Sequence, residues 1–370
     1  MLDYSTLNRI MRPFQERSAA KARRDMAPFL ESRNALLPSI SPANTKRVSG
    51  SFIYHRPPDY AGAATQEWGA AGWLAEFRRL QGLGIDTVIY QGALGETTQG
   101  RLSLYYPPRP DTLSRLSTVS SRLRRDIEVD PGLDDVFDAA EKCGLSVHLG
   151  LYNVLKGWFG LPNKGFFETV LSEELEVARD LVVIYSKRPA FAGWYISPEI
   201  MYQLHGKRRD LDMHDFLARL TEPLRAAAPE ARIVISPGSY WRPAEMRRVE
   251  DFWSRTLKGS GVDTLCPQDS VGVLGVRPED APALWSSWAR AAEASGVELW
   301  ANCEAFERRS FGEDMPLVAA PFARYLAQLD AATPAVSKIV TWEAMYFLSP
   351  SGPPGAAELE AAYRGFFGLS

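Results

Sequence analysis

The fold this sequence predicts is a single (β/α)8 barrel of the α/β class, and three observations predict it. Short runs rich in β-branched and aromatic residues recur eight times along the chain. Each is followed by a segment whose apolar residues repeat at helical spacing. No glycine-rich phosphate turn follows the first run, SFIYHRPPDY, as an open doubly wound sheet would favour. Strands alternating with helices pair in parallel through right-handed crossovers, and eight such units close into a barrel. A length of 370 residues suits one barrel with insertions, so no second domain is required.

Residues 1–46 read as a charged, partly helical N-terminal extension, because Leu7, Ile10 and Met11 stand at helical spacing and nothing strand-like precedes Val48. Residues 47–370 read as the barrel. Its strand runs are Val48 to Tyr54, Asp86 to Gln91, Ser146 to Leu151, Phe191 to Ile196, Arg232 to Ser236, Asp263 to Cys266, Glu298 to Asn302 and Lys338 to Trp342. Amphipathic segments lie between them, such as Trp73, Phe77 and Leu80, or Phe322, Leu326 and Leu329. Trp73, Trp253, Trp285 and Trp288 fall on helix faces that pack onto the barrel. From about Gly92 to Pro131, between the second strand and its helix, the connection is long and reads as a loop. Such loops sit on the face where barrels carry their active sites, so this one is expected to wall a cleft; a decorative insertion is the plainer reading.

Composition narrows the function classes. A net charge of -3 with both signs interspersed offers no field to gather nucleic acid or an anionic membrane, so neither is an expected partner. No apolar run is long enough to span a bilayer, and no apolar leader segment opens the chain. As it stands the sequence reads as cytoplasmic; an exported protein whose leader had been removed would read the same. Arg23 and Arg24 form a twin-arginine pair, but the residues after them are too polar for an export signal. Cys143, Cys266 and Cys303 lack CxxC spacing and are expected to be buried thiols. Four histidines without an HxH or HExxH pair argue against a catalytic zinc, and neither a metal nor another cofactor is expected. Ser236 and Ser239 sit in no GxSxG elbow.

In a parallel barrel the strand C-termini converge on one mouth, which makes strand-end residues the candidates for function. In order they are Tyr54, His55 and Arg56; Gln91; Tyr152 and Asn153; Tyr195, Ser197, Pro198, Glu199 and, just beyond, Tyr202; Ser239, Tyr240 and Trp241; Gln268 and Asp269; Asn302 and Glu304; Trp342, Glu343 and Tyr346. Carboxylates, amides and flat rings are the chemistry suited to a sugar, because rings stack on its faces while amides and acids bond its hydroxyls. A carbohydrate is therefore the expected partner. Glycosidic hydrolysis needs one acid to protonate the leaving oxygen and one carboxylate to attack carbon or activate water. Glu199 and Glu304 end the fourth and seventh strands, which lie across the mouth from each other.

Plainer readings stand beside these. Glu199 could cap a helix. Glu304 could sit in a surface ion pair with Arg308 or Arg309, and Glu307 rivals it. Asp269 and Gln268 either bond substrate or orient a glutamate, and an Asp-Ser pair is also ordinary turn chemistry. Trp342 and Glu343 are consecutive, so only one is expected to face the cleft. Tyr54, Tyr202, Tyr240 and Trp241 are singly as suited to a core as to a sugar subsite.

The runs GSFIYHR, EWGAAGWLAEFRRLQGLGIDTVIYQ, DDVFDAAEKCGLSVHLGLY, FAGWYISPEI, CPQDSVG and ELWANCEAFE resemble the domain-of-unknown-function 4434 family of glycosidase-type TIM barrels, from about Ser49 to Pro350. The resemblance implies a retaining glycosidase in which Glu199 is the acid/base, Glu304 the nucleophile and Trp342 an aromatic platform. Pro198 stands where the wider group of retaining enzymes carries an Asn that binds the sugar 2-hydroxyl. The expected activity is hydrolysis of an oligo- or polysaccharide, with transglycosylation as a variant. Glu199 is expected to be pushed up by partial burial and by the charge of Glu304, and retention calls for carboxyl groups roughly 5–5.5 Å apart. The rival functions are a carbohydrate-binding barrel without turnover and a barrel lyase or isomerase.

Overall fold

All eight runs form strands close to their expected bounds: β1 (Val48–Ile53), β2 (Thr87–Tyr90), β3 (Ser146–Gly150), β4 (Phe191–Ile196), β5 (Arg232–Ile235), β6 (Thr264–Leu265), β7 (Glu298–Glu304) and β8 (Lys338–Trp342). The computed structural model describes residues 40–55, 65, 67–96, 102–119, 127–153, 164–199, 210–238, 246–274, 276–308 and 317–370. Each strand pairs in parallel with its sequence neighbours, and β8 returns to β1 through Gly50↔Val340 to close the barrel. β7 runs two residues past its expected end and takes in Glu304 itself, in register with Trp342.

Because successive side chains leave opposite faces of a strand, every second residue enters the barrel. Phe52, Ile89, Tyr195, Val234, Cys266, Trp300 and Val340 form this inner core. In β3 the register partner of Ile89 is His148, whose ring meets Trp300 edge-on at 5.6 Å. The opposite faces pack against α1 (Gly69–Gly82), α2 (Leu133–Cys143), α3 (Lys164–Tyr185), α4 (Asp210–Ala227), α5 (Met246–Leu257), α6 (Ala281–Ser295), α7 (Phe322–Ala332) and α8 (Ala356–Phe367). Trp73, Trp253, Trp285 and Trp288 are buried there, and the three cysteines are buried and unpaired.

The connection between β2 and α2, expected to be a loop, is folded. Leu94–Glu96, Leu102–Leu104 and Ile127–Val129 join Tyr152–Asn153 in a four-stranded sheet, and the helix Thr112–Val119 packs on α3. Strands of three residues are too short to show alternation, which is why the sequence hid them. Asp180 of α3 anchors the insertion: fully buried, it accepts hydrogen bonds from Arg109 and Arg115, each at 2.8 Å, and from the Thr112 hydroxyl. A buried carboxylate needs such partners. After β7, Phe306–Arg308 and Leu317–Ala319 pair as an antiparallel hairpin. The N-terminal segment holding Leu7, Ile10 and Met11 lies outside the described residues. Among the described residues no helix is long and apolar enough to cross a membrane.

Candidate active site

One step beyond the inner core, the same alternation turns Tyr54, Gln91, Ser197, Ser236, Gln268, Asn302, Glu304 and Trp342 toward the mouth. Hydrogen bonds knit this ring together. The Ser197 hydroxyl donates to the Gln91 carbonyl at 2.7 Å. The Asn302 amide donates to the Ser236 hydroxyl at 3.2 Å, and Gln268 and Asn302 are bridged through their backbones.

Glu304 is the last residue of β7 and only 2% exposed. Its Oε2 accepts the backbone N–H of Val273 at 2.7 Å, and the N–H of Gly272 also reaches the carboxyl. Glycine is required at 272: a Cβ there would lie 2.1 Å from the Phe306 carbonyl oxygen and 3.1 Å from Glu304 Oε2. Burial, then the charge of Asp269, push the Glu304 carboxyl up to about 8, against the two N–H donors and the Arg324 guanidinium.

Glu199, three residues past the end of β4, keeps partial exposure. Burial raises its carboxyl to about 7, opposed by a hydrogen bond from the Gln268 side chain. Of the two causes the sequence suggested, burial is the one that raises it, and the charge of Glu304 is not among the causes. Among the described residues, no charge comparable to Asp269 stands beside Glu199 to raise it further, as one does for Glu304.

Glu343 is fully buried, and the Tyr54 hydroxyl donates to its Oε1. Trp342 remains partly exposed with its ring edge-on to Phe306 at 5.1 Å. The consecutive pair thus diverges, Glu343 toward the end of β1 and Trp342 toward the hairpin. The Trp342–Glu343 peptide bond is cis.

Other strand-end residues lie elsewhere. His55 is buried between Trp73, at 5.7 Å, and Tyr105, at 5.3 Å, beneath the folded insertion. Tyr195 sits deeper, in the inner core, edge-on to Phe52 at 5.3 Å. Asn153 is drawn into the accessory sheet opposite Gly95. Asp269 faces α7 and not the mouth, accepting from Gln328 Nε2 at 2.5 Å. Glu307 is in the hairpin, opposite Val318. Tyr202, Tyr240 and Trp241, with Arg56, Ser239 and Arg309, lie outside the described residues. Among the described residues no group of three His, Cys, Asp or Glu side chains could hold a metal ion.

Sequence reasoning missed the one-turn helix Val271–Leu274, whose Gly272 and Val273 N–H groups meet Glu304, because backbone donors carry no side-chain signal. It also missed Arg324 and Gln328, both buried in α7. A signal for them existed: two polar residues four apart in FARYLAQLDAA share a face of an otherwise apolar helix.

The molecule is a closed (β/α)8 barrel with an acidic, hydrogen-bonded mouth. It belongs to the family described as domain of unknown function DUF4434, whose model matches residues 48–353. Among solved structures it is similar to a provisionally assigned alpha-L-fucosidase of Bacteroides thetaiotaomicron VPI-5482, 23% identical over 90% of this chain and 98% of that one, with a TM-score of 0.69. It is also similar to the GH5_18 protein of Streptomyces cattleya in complex with Manβ1-4GlcNAc, 14% identical over 86% of this chain and 81% of that one, with a TM-score of 0.51. Likeness at these identities establishes the fold, shared with glycoside hydrolases. No curated protein matches the sequence.

Proposed function

We propose that this barrel is a glycoside hydrolase acting on an oligo- or polysaccharide by a retaining, two-carboxylate mechanism. The observation that carries the reading is the pair of enclosed carboxyl groups at the ends of β4 and β7, both displaced to near-neutral pKa, about 7 and about 8. The roles need Glu304 ionised while Glu199 keeps its proton, the reverse of the order of those two values, so the competent form is a minority that peaks between them. Glu199 protonates the departing glycosidic oxygen while Glu304 attacks the anomeric carbon. Water, deprotonated by Glu199, then releases the sugar from Glu304. Trp342 offers a ring face for stacking, while Tyr54 with Glu343, Gln91 and Asn302 are placed to bond hydroxyls. Residues 47–370 form the catalytic unit in this reading, and 1–46 an extension to it.

Activity falls at low pH as Glu304 takes up its proton and at high pH as Glu199 loses its own; because Glu304 has the higher of the two values, the profile is a low, narrow bell centred between about 7 and about 8. The test is a screen of the unmodified protein, Glu199→Gln and Glu304→Gln against aryl glycosides and bacterial polysaccharides. Each variant is expected to lose about 10²–10⁴-fold in kcat, and unchanged turnover in either one removes that glutamate from the mechanism. Proton NMR of the first-released sugar should show the substrate's own anomer; the opposite anomer refutes retention. Binding without hydrolysis by the unmodified protein would leave a carbohydrate-binding barrel.

A further inference from the structure

Behind Glu304 lies a polar network for which the sugar chemistry above has no use. Asp269, next to the mouth-facing Gln268, turns the other way and is fully buried. Its Oδ1 accepts the backbone N–H groups of Val271 at 3.2 Å and of Glu304 at 3.3 Å, and its Oδ2 accepts Gln328 Nε2 at 2.5 Å. Gln328 also donates to the Glu304 carbonyl at 3.2 Å, and its own oxygen accepts Arg324 Nη1 at 3.0 Å. Arg324 Nη2 donates to the Phe306 carbonyl at 2.5 Å. Arg324 therefore fixes which way the Gln328 amide faces, and Gln328 can only donate toward Asp269.

Burying charges in this way gains little stability over apolar packing of the same volume. What the network does hold is the two ends of the Glu304 environment. Asp269 bonds the backbone of Glu304 itself and the first residue of the one-turn helix whose next two N–H groups grip the Glu304 carboxyl. Burial raises the Asp269 carboxyl, while its hydrogen-bond donors and the Arg324 charge pull the other way and favour its anion.

We propose that Asp269, steadied by Gln328 and Arg324, is a positioning residue for Glu304: it fixes the strand end and the one-turn helix Val271–Leu274 that together hold that carboxyl. The titratable and charged groups around the pair are Cys303 from β7, Arg324 and Tyr325 from α7, and Glu307 from the hairpin, which faces Arg324. Burial pushes the Cys303 thiol and the Tyr325 hydroxyl well up, so both are neutral near pH 7. Arg324 shares its positive charge among Asp269, Glu304 and Glu307. The Asp269 anion disfavours a second negative charge on Glu304, so removing it should let Glu304 ionise at lower pH.

The test follows the carboxyl directly, by carbon-13 NMR titration of glutamate-labelled protein with the Glu304 signal assigned through Glu304→Gln. Asp269→Asn removes the charge but sets two amide donors against each other. Asp269→Asn combined with Gln328→Glu restores an acceptor beside the new amide and moves the negative charge one residue back, beside Arg324, while giving up the donor to the Glu304 carbonyl. The Glu304 midpoint should fall by about one pH unit or more in both variants. Thermal stability should drop in the single variant and recover in the double. In the kinetic arm, which rests on the proposed glycosidase reading, the acid limb of kcat/KM should fall with the midpoint. A midpoint that stays put or rises in the folded double variant overturns the proposal and leaves Asp269 a structural residue. A midpoint that falls as expected in a protein that hydrolyses no glycoside overturns the glycosidase reading alone, whereas hydrolysis with an unmoved limb overturns the inference alone.

Discussion

Glu298 and Glu304 bracket strand β7, one at each end of the barrel, and their environments drive them in opposite directions. At the lower end, burial tends to raise the Glu298 carboxyl, but hydrogen bonds from Ser337 and Trp300 and the charge of Arg232 outweigh it, and the carboxyl is lowered. Its neighbours are paired in the same manner: Lys338 Nζ meets Asp86 Oδ1 at 2.7 Å and Thr87 Oγ1 at 2.5 Å, and Arg232 meets the Thr264 hydroxyl at 3.0 Å. His148, pressed between, is held down to about 3 by burial and by Lys338 and Arg232, and so stays neutral. At the mouth the carboxyls are met by neutral donors instead. Glu199 has the Gln268 amide, Glu343 the Tyr54 hydroxyl and Glu304 two backbone N–H groups. One end spends its acids on stability, while the other leaves them poised to exchange protons.

The sharpest way to break this contrast is Gly272→Ala, because its Cβ must push the Phe306 carbonyl and residue 272 apart and also crowds the Glu304 carboxyl. A displacement of that size should lower kcat by about 10²-fold; steady-state kinetics on any accepted glycoside checks it, and full activity would mean the turn does not hold Glu304. Tyr54→Phe removes the hydroxyl donor to Glu343 and should reduce kcat/KM about tenfold. An unchanged value would place the Tyr54–Glu343 pair outside the substrate's reach.

Two unfolding experiments then compare the two ends of β7. Glu304 has an ordinary value of 4.5 once unfolded and about 8 when folded. Between those values the folded state keeps a proton the unfolded chain has released, so stability falls as pH rises through that window. Glu304→Gln escapes the loss. It should match the unmodified protein in urea unfolding at pH 4 and exceed it by roughly a few kcal/mol at pH 8; a variant less stable at pH 8 would contradict the burial argument. Glu298→Gln should behave oppositely and more weakly. Its folded carboxyl is lowered, so the stability it contributes is present above the ordinary value and lost as pH falls through the folded one. Because the Arg232–Glu298 pair is partly exposed, with side chains 42% and 35% accessible, the loss at pH 7 should be under about 1 kcal/mol.

Particular residues show how much was legible beforehand. The strand runs and the four helix-face tryptophans were readable because period-two and helical repeats are local properties of a chain. The candidacy of Glu199 and Glu304 followed from where their strands end. Side-chain direction past a strand end was less legible: His55 and Asp269 each follow a mouth-facing residue and turn into the wall, as alternation requires. Tyr195 obeys the same rule one layer too deep. The folded insertion escaped notice because its strands are three residues long, and the Asp180 cluster that ties it down joins residues about seventy apart.

By itself, then, the amino-acid order determined a closed eight-fold barrel and named the carboxylates at its rim, since repeat spacing and chain order suffice for both. Only the tertiary structure decided their proton affinity. That depends on burial and on which charges and N–H groups from α7, from Gln268 and Asp269 after β6, and from the one-turn helix Val271–Leu274 come close, and such proximity between residues far apart in the chain leaves no trace in any local pattern.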